Sequence, residues 1–142
     1  MQISIAELER DFSAYVERKI SQSRGENLPE GYVPATEFWL VDGDEYIGSV
    51  NIRHRLTEYL RTLGGHIGYD IRPSKRGRGY GTKILELALP KARELGIERV
   101  LVTCDATNVA SRKIIEKNGG VLKNSVPNPA AGVEKLRFWI AV

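Results

Sequence analysis

The sequence predicts an α/β domain with a mixed sheet. Segments with apolar residues at three- and four-residue steps, which indicate helices, alternate with short segments rich in β-branched residues, which indicate strands. The predicted order is helix, loop, three strands, helix, strand, helix and two strands. Strands joined by a helix are therefore expected to be parallel, and the others antiparallel. At 142 residues the chain is expected to form one domain over residues 1–142.

The first half is predicted to contain one helix and a hairpin of strands. The helix runs to about Ser21, and the apolar face that should pack on the sheet comprises Ile5, Leu8, Phe12, Tyr15, Val16 and Ile20. A polar loop over residues 22–34 follows. Strands over 36–41 and 46–56 flank an Asp-Gly-Asp turn, which is typical of a hairpin. Gly48 is expected to mark a bend or a close approach of two backbones.

The second half is predicted to alternate strands and helices. Residues 57–65 form a connection with a helical turn, and a strand from His66 to Ile71 follows. The remaining elements are a helix over 82–95, a strand over 99–103, a helix over 108–118, a strand over 121–126, a turn over 127–132 and a strand over 133–142. Pro90 lies inside the first of these helices and is expected to kink it.

Composition excludes several classes of protein. No apolar run reaches the roughly 18 residues of a membrane span, and the N-terminus lacks the features of a signal peptide. The lone Cys104 excludes an internal disulfide and, with these absences, indicates a cytoplasmic protein. Two His and one Cys are too few for a zinc cluster, so no metal is expected. The net charge of +3 is concentrated near one loop, which favours a small anionic ligand over nucleic acid.

That loop joins the strand over 66–71 to the following helix. Its glycines are Gly77, Gly79 and Gly81, and the basic residues around them are Arg72, Lys75, Arg76 and Arg78. Glycines let the backbone approach a ligand closely, and the first N–H groups of a helix have no internal partner and carry partial positive charge. A strand, a glycine-rich turn and a helix start together predict an anion site.

The glycine spacing separates three kinds of phosphate loop. It fits neither the Walker pattern nor the dinucleotide fingerprint, but Arg76 to Gly81 matches R-x-x-G-x-G in full. This loop resembles the acyl-CoA loop of the GNAT superfamily of N-acetyltransferases. The segment from Asn108 to Gly120 resembles a second motif of that superfamily, N-x-x-[AS]…G, and it also follows a predicted strand.

The resemblance implies a GNAT-like fold with a mixed, mostly antiparallel sheet and helices on both faces. A central parallel pair, over 66–71 and 99–103, should splay at one end. Pantetheine of acetyl-CoA, the implied co-substrate, would fill the gap and pair with Tyr69, Asp70 and Ile71. The remaining implied contacts are Gly77, Arg78, Gly79, Tyr80, Gly81 and Thr82 at the pyrophosphate, Arg76, Arg78, Arg112 and Lys113 near the 3′-phosphate, and Asn108 and Ser111 of the second motif.

The implied reaction is direct transfer of acetyl to a primary amine of a small molecule or a peptide. The amine must lose a proton, directly or through water, and the candidate bases are His66, His54, Asp70 and Glu58. A backbone N–H near Ile71, exposed at a bulge, is expected to stabilise the oxyanion. Two alternatives remain for the thiolate: it takes a proton from water, or it leaves without a proton.

Three departures from the family pattern bear on function. Relatives that acetylate protein N-termini often carry a Glu and a Tyr where this chain has Thr103 and Ile115. That difference keeps a second hypothesis open, a non-catalytic acyl-CoA-binding or sensor module. The chain also starts almost at its first helix, so an edge strand is expected to be absent and a homodimer to cover the edge. The amine acceptor is not identified, but the loop over 22–34 is expected to border its site.

Overall fold

A computed structural model describes residues 12–142. In chain order its elements are α1 (Phe12–Ser23), β1 (Ala35–Asp42), β2 (Glu45–Arg53), β3 (Ile67–Ile71), α2 (Tyr80–Glu94), β4 (Arg99–Asp105), α3 (Val109–Lys117), β5 (Val121–Asn128) and β6 (Val133–Ala141). A π-helical turn, Leu60–Gly64, precedes β3, and a 3-10 turn, Pro73–Lys75, follows it. The element order agrees with the predicted one. The predictions for residues 1–11, namely the start of the first helix and the missing edge strand, lie outside the described residues.

The first sheet has the strand order β1-β2-β3 and is antiparallel throughout. Because side chains alternate between its faces, Val50 and Ile52 of β2 point to one face, where α2 packs. On the other face Tyr15 of α1 contacts Trp39 of β1, with ring centroids 6.1 Å apart. Helices therefore cover both faces of this sheet, as predicted.

The second sheet has the order β4-β6-β5 and is also antiparallel. Strands β3 and β4 lie in different sheets and touch at their N-terminal ends, where the His66 N–H donates to the Leu101 carbonyl at 2.8 Å. The described residues form no further ladder between β3 and β4. The predicted central parallel pair over 66–71 and 99–103 is therefore not confirmed.

Two glycines allow strands to approach closely. Gly48 lies opposite Ile71, and a Cβ at position 48 would collide with the carbonyl oxygen of Asp70. This confirms the close approach expected at Gly48. At the junction of the two sheets, a Cβ on Gly65 would lie 2.6 Å from the carbonyl oxygen of Leu101. A larger residue at either position would push the strands apart.

The core lies between the two sheets and α2, and a single apolar cluster joins them. Four side chains of α2 are buried in it: Ile84, Leu85, Ala88 and Ala92. The predicted face of α1 packs on the sheet only in part. Phe12 and Tyr15 contact Trp39 of β1, but no residue of α1 is buried, and the exposed fractions of Phe12, Val16 and Ile20 are 52%, 36% and 45%. The half-buried side of α1 includes the predicted Tyr15 and the polar Lys19 and Gln22.

Element ends differ by a few residues from the predicted ones. Helix α2 begins at Tyr80 rather than Thr82, and β5 continues through Pro127 to Asn128. Proline is tolerated there because β5 is an outer strand. No helix within residues 12–142 is long and apolar enough to cross a membrane. In the same part of the chain, no group of three His, Cys, Asp or Glu side chains is placed to hold a metal ion.

Candidate active site

A cavity of about 710 Å³ opens where β3 and β4 stop touching. Its walls are β3, the glycine loop, Thr103 of β4 and the first turns of α3. The predicted site residues that line it are Tyr69, Asp70, Ile71, Arg76, Gly77, Tyr80, Gly81, Asn108 and Ser111. The two sequence motifs therefore meet at one cavity, which lies beside the free edge of β3.

Two hydrogen bonds establish which backbone groups of β3 face that edge. Arg53 N–H donates to the His66 carbonyl at 2.7 Å, and Arg72 N–H donates to the Ile47 carbonyl at 2.8 Å. Hydrogen-bonded positions alternate along an antiparallel pair. The β2–β3 register is continuous, so the peptide groups that point away from β2 are those of positions 67, 69 and 71. Ile71 thus presents its N–H to the cavity without a bulge.

The predicted bulge near Ile71 is wrong. The pairing of β2 with β3 shows no shift, and the irregularity lies instead between Leu40 and Val41 of β1, opposite β2. The cause is ordinary strand alternation: an edge strand already turns every second N–H and C=O toward its open side. No local distortion is needed to expose them.

The glycine loop ends at the N-terminus of α2. Gly77 and Gly79 have φ angles of 75° and 85°, a left-handed conformation that L side chains rarely adopt. Gly79 is the N-cap of α2, and no side chain caps this helix start within the described residues. The first N–H groups of α2 are therefore available to an anion. Gly81 has a packing role, because a Cβ there would lie 2.5 Å from Cδ1 of Ile114 in α3.

Arg76 turns back onto the end of β3. Its Nε donates to the Ile71 carbonyl at 2.8 Å, and its Nη2 lies 3.2 Å from Oδ1 of Asp70. The Ile71 carbonyl is thus already bonded, which leaves its N–H for a ligand. Asp70 is paired and its side chain is 76% exposed, so the geometry does not support its predicted role as base.

A polar network connects β3 to the start of α3. Asn108 is the N-cap of α3, and its Oδ1 accepts from Ser111 N–H at 3.1 Å, which leaves its amide NH₂ free to donate. The Ser111 hydroxyl lies 2.7 Å from the Tyr69 hydroxyl. Burial raises the pKa of the Tyr69 phenol, and its hydrogen bond to Ser111 opposes this more weakly. The phenol is therefore protonated at neutral pH.

His66 links the two sheets. It is 7% exposed, and its Nδ1 accepts a hydrogen bond from Leu101 N–H at 2.9 Å. Burial, with a smaller contribution from the Arg53 charge, lowers the pKa of His66 to about 4. The ring is therefore neutral, with its proton on Nε2, and it lines neither the cavity beside β3 nor a second cavity that adjoins it. This geometry gives His66 a structural role and does not support its predicted role as base.

His54 also lies outside both cavities. Its Nε2 is 2.7 Å from the Thr36 hydroxyl oxygen, its backbone N–H donates to Pro34 O, and burial lowers the pKa of its ring. Neither predicted histidine base thus faces the space beside β3.

Replacing His66 by Asn tests the structural role. The depressed pKa means that the unfolded chain binds the His66 proton more tightly than the folded one. The free energy of unfolding should therefore fall by roughly 3 kcal/mol as the pH is lowered from about 6.5 to about 4, with no contribution from this group above that window. His66→Asn keeps an acceptor for Leu101 N–H and should flatten this dependence in urea unfolding. A pH–rate inflection that disappears in His66→Asn would instead restore the base role.

A second cavity, of about 580 Å³, adjoins the first. It lies between α1, the loop over 24–34, β1, β2 and the π-helical turn. The predicted loop over 22–34 therefore does border a cavity. Arg53 and Tyr59 line both cavities, so the two spaces meet at these residues. We call them the β3 cavity and the α1 cavity.

Comparison with known protein families identifies the fold and its class. The family model of the GNAT acetyltransferase domain matches residues 6–121. The chain belongs to the GNAT acetyltransferase family. The predicted family and the predicted enzyme class, an acyltransferase, are thus confirmed. No curated protein matches the sequence.

Solved acetyltransferases share the GNAT fold at low sequence identity. A probable acetyltransferase superposes with a TM-score of 0.71 at 18% identity, over 99% of this chain and 76% of its own. A mutant spermidine N-acetyltransferase from Vibrio cholerae superposes with a TM-score of 0.65 at 16% identity, over 90% of this chain and 74% of its own. A ribosomal alpha-N-protein acetyltransferase in complex with coenzyme A superposes with a TM-score of 0.65 at 19% identity, over 91% of this chain and 70% of its own. A spermidine N-acetyltransferase chimera is covered over 66% of its length.

The GNAT motifs indicated some of the residues that line the β3 cavity and missed others. The predicted residues that do not line the β3 cavity are His54, Glu58, His66, Arg78, Gly79, Thr82, Arg112 and Lys113. Arg53 and Tyr59 were missed, although β2 carries a signal: Ser49, Asn51 and Arg53 alternate with buried residues, which indicates a polar face on that strand. No pattern indicates the contact between Tyr69 and Ser111, which are 42 positions apart.

Proposed function

We propose that this GNAT domain transfers acetyl from acetyl-CoA to a primary amine of a small molecule or a peptide. The observation that carries the proposal is the continuity of the β3 cavity. Free peptide groups of β3 lead to the uncapped N-terminus of α2 at one end, and the α1 cavity joins at Arg53. This arrangement offers a place for an extended thioester, for its phosphates and for an acceptor.

The cofactor contacts follow from the free groups. Pantetheine is an amide chain, so it pairs with the peptide groups of Tyr69 as a strand would. The pyrophosphate takes the N–H groups at the start of α2. The Asn108 amide donates to the pantetheine arm, because its Oδ1 is already occupied by Ser111 N–H. Arg78 and Lys113 remain proposed partners of the 3′-phosphate.

The chemistry then has three steps. The amine, with a pKa near ~10.4, loses its proton to water, since neither histidine faces the α1 cavity. Its nitrogen attacks the thioester carbon, and Ile71 N–H stabilises the oxyanion. The C–S bond breaks, and the sulfur takes the phenolic proton of Tyr69, which regains a proton from water. Burial of the phenol and its bond to Ser111 support this assignment.

Thiol release from acetyl-CoA with a panel of primary amines tests the proposal. The expected result is amine-dependent release of CoA and an acetylated amine detected by mass spectrometry. Titration with CoA should show binding both for an acetyltransferase and for a non-catalytic binding module. Binding without release over a broad panel would favour the acyl-CoA-binding module instead.

We also propose a cytoplasmic homodimer, whose partner would pair along the outer edge of β1. Light scattering measures the mass in solution.

A further inference from the structure

We propose that Arg53 anchors an anionic group of the acceptor, so that the acceptor is a primary amine bearing a carboxylate a few bonds from its nitrogen. This inference rests on the proposed acetyl transfer and assigns the substrate class at the same site. The competing class is a polyamine, which carries only positive charge.

Arg53 lies at the boundary between donor and acceptor. It is the last residue of β2 and lines both the α1 cavity and the β3 cavity. Val50 and Ile52 point into the core, so the alternation of the strand directs Asn51 and Arg53 to the opposite face. Gly68 pairs with Asn51 on that face, and it lines the β3 cavity. The guanidinium therefore stands where the acceptor meets the thioester.

The bonding of Arg53 leaves part of its guanidinium for a ligand. Nη1 donates to the carbonyls of Gly64 and Gly65, both at 3.1 Å, which holds the side chain in place. Nη2 lies over β3, since a Cβ built on Gly68 would be 3.8 Å from it. Glycine at position 68 thus leaves the space beside a fixed donor free of a side chain, and an arginine fork suits a carboxylate.

No acidic side chain neutralises this cation within residues 12–142, because none of the ion pairs there includes Arg53. Burial lowers the pKa of the guanidinium, which shows that part of its hydration is lost. A half-buried charge without a counter-ion is costly. A carboxylate arriving with the acceptor would remove that cost when the site is filled.

The other charged groups of the α1 cavity do not suit a polycation. The Glu37 carboxylate accepts hydrogen bonds from Tyr15 and Trp39 and forms an ion pair with Lys19 at 3.7 Å, so it already has partners within the protein. Glu30 is exposed on the loop at the rim. An ammonium that approached the thioester from this cavity would pass Arg53 and be repelled. An amine whose own carboxylate binds Arg53 avoids that repulsion.

Matched pairs of amines test the assignment. L-lysine with cadaverine, L-ornithine with putrescine and L-phenylalanine with phenethylamine each differ by one carboxylate. The wild type should acetylate the carboxylated member with a kcat/KM at least about tenfold higher. Arg53→Gln should remove most of this preference by slowing the amino acids, whereas Arg53→Lys should keep part of it. Arg55→Gln, which removes an exposed charge outside both cavities, should leave the preference unchanged.

Two results of the rate assay would overturn the anchor. One is a wild-type preference for the decarboxylated amines; the other is an equal loss on both members in Arg53→Gln, which would place Arg53 at the thioester. A binding assay separates this proposal from acetyl transfer itself. With CoA bound, N-acetyl amino acids should bind more tightly than the matching N-acetyl amines in the wild type but not in Arg53→Gln. If this binding preference were seen without any turnover, the proposed reaction would be wrong and the anchor would stand. If the binding preference were absent, the anchor would be wrong.

Discussion

Gly79→Asp is expected to weaken acetyl-CoA binding at least ~100-fold, which corresponds to about 2.7 kcal/mol. Gly79 is the N-cap of α2, and nothing lies within 4 Å of a Cβ built there, so the surrounding residues leave room for the start of a side chain. Aspartate at an N-cap accepts from the first N–H groups of its helix. The carboxylate would therefore take the donors proposed for the pyrophosphate and would also repel it. Isothermal titration of the purified variant with acetyl-CoA measures the loss.

Gly96→Asp is a matched control for that variant. Gly96 follows the other end of α2, has a φ angle of 90°, and likewise has no atom within 4 Å of a built Cβ. Both variants place the same side chain in the same strained backbone region, which costs of order 1–3 kcal/mol. Gly96→Asp should lose stability in urea unfolding and bind acetyl-CoA as the wild type does. Equal affinities in the two variants would show that no phosphate binds at the start of α2.

Local sequence patterns predicted the elements well, because helices and strands depend on spacing over a few residues. They predicted the burial of α1 poorly. The apolar period of Phe12, Val16 and Ile20 is that of a helix, yet these side chains remain exposed. Spacing indicates that an apolar stripe exists and does not indicate what covers it. Here only the aromatic rings of Phe12 and Tyr15 pack against Trp39, on the face of the sheet opposite α2.

In the candidate active site, too, some features could be predicted from local sequence and others could not. The glycine loop and the start of α3 are contiguous motifs, so the sequence predicted where both lie along the cavity wall. The role of His66 depends on Leu101, and that of Arg53 on Gly64 and Gly65, which fold onto it from the π-helical turn. Such contacts depend on how the two sheets meet, and no short window of sequence contains them. His54 and His66 were candidate bases because the pKa of free histidine suits a base, but burial lowers the pKa of both rings.

Tyr69→Phe is expected to lower kcat roughly 100-fold, at the lower end of what a positioned acid contributes. The family resemblance implies that relatives that acetylate protein N-termini often carry a tyrosine where this chain has the buried Ile115 of α3. The phenol of Tyr69 reaches the same helix from β3 and lies 2.7 Å from the Ser111 hydroxyl. Its raised pKa keeps the proton on the oxygen until the thiolate forms. Single-turnover CoA release measures the chemical step, and acetyl-CoA affinity should change little because phenylalanine keeps the ring and backbone.

Two companion variants separate proton donation from packing. Ser111→Ala removes the partner and leaves the phenol, so it should slow the reaction much less than Tyr69→Phe. Tyr46→Phe, at an exposed tyrosine outside both cavities, should match the wild type. Losing the Tyr69–Ser111 bond should cost about 1 kcal/mol of stability in either member of the pair. If Tyr69→Phe and Ser111→Ala slowed CoA release equally, the hydroxyl would act by positioning α3, and water would protonate the thiolate.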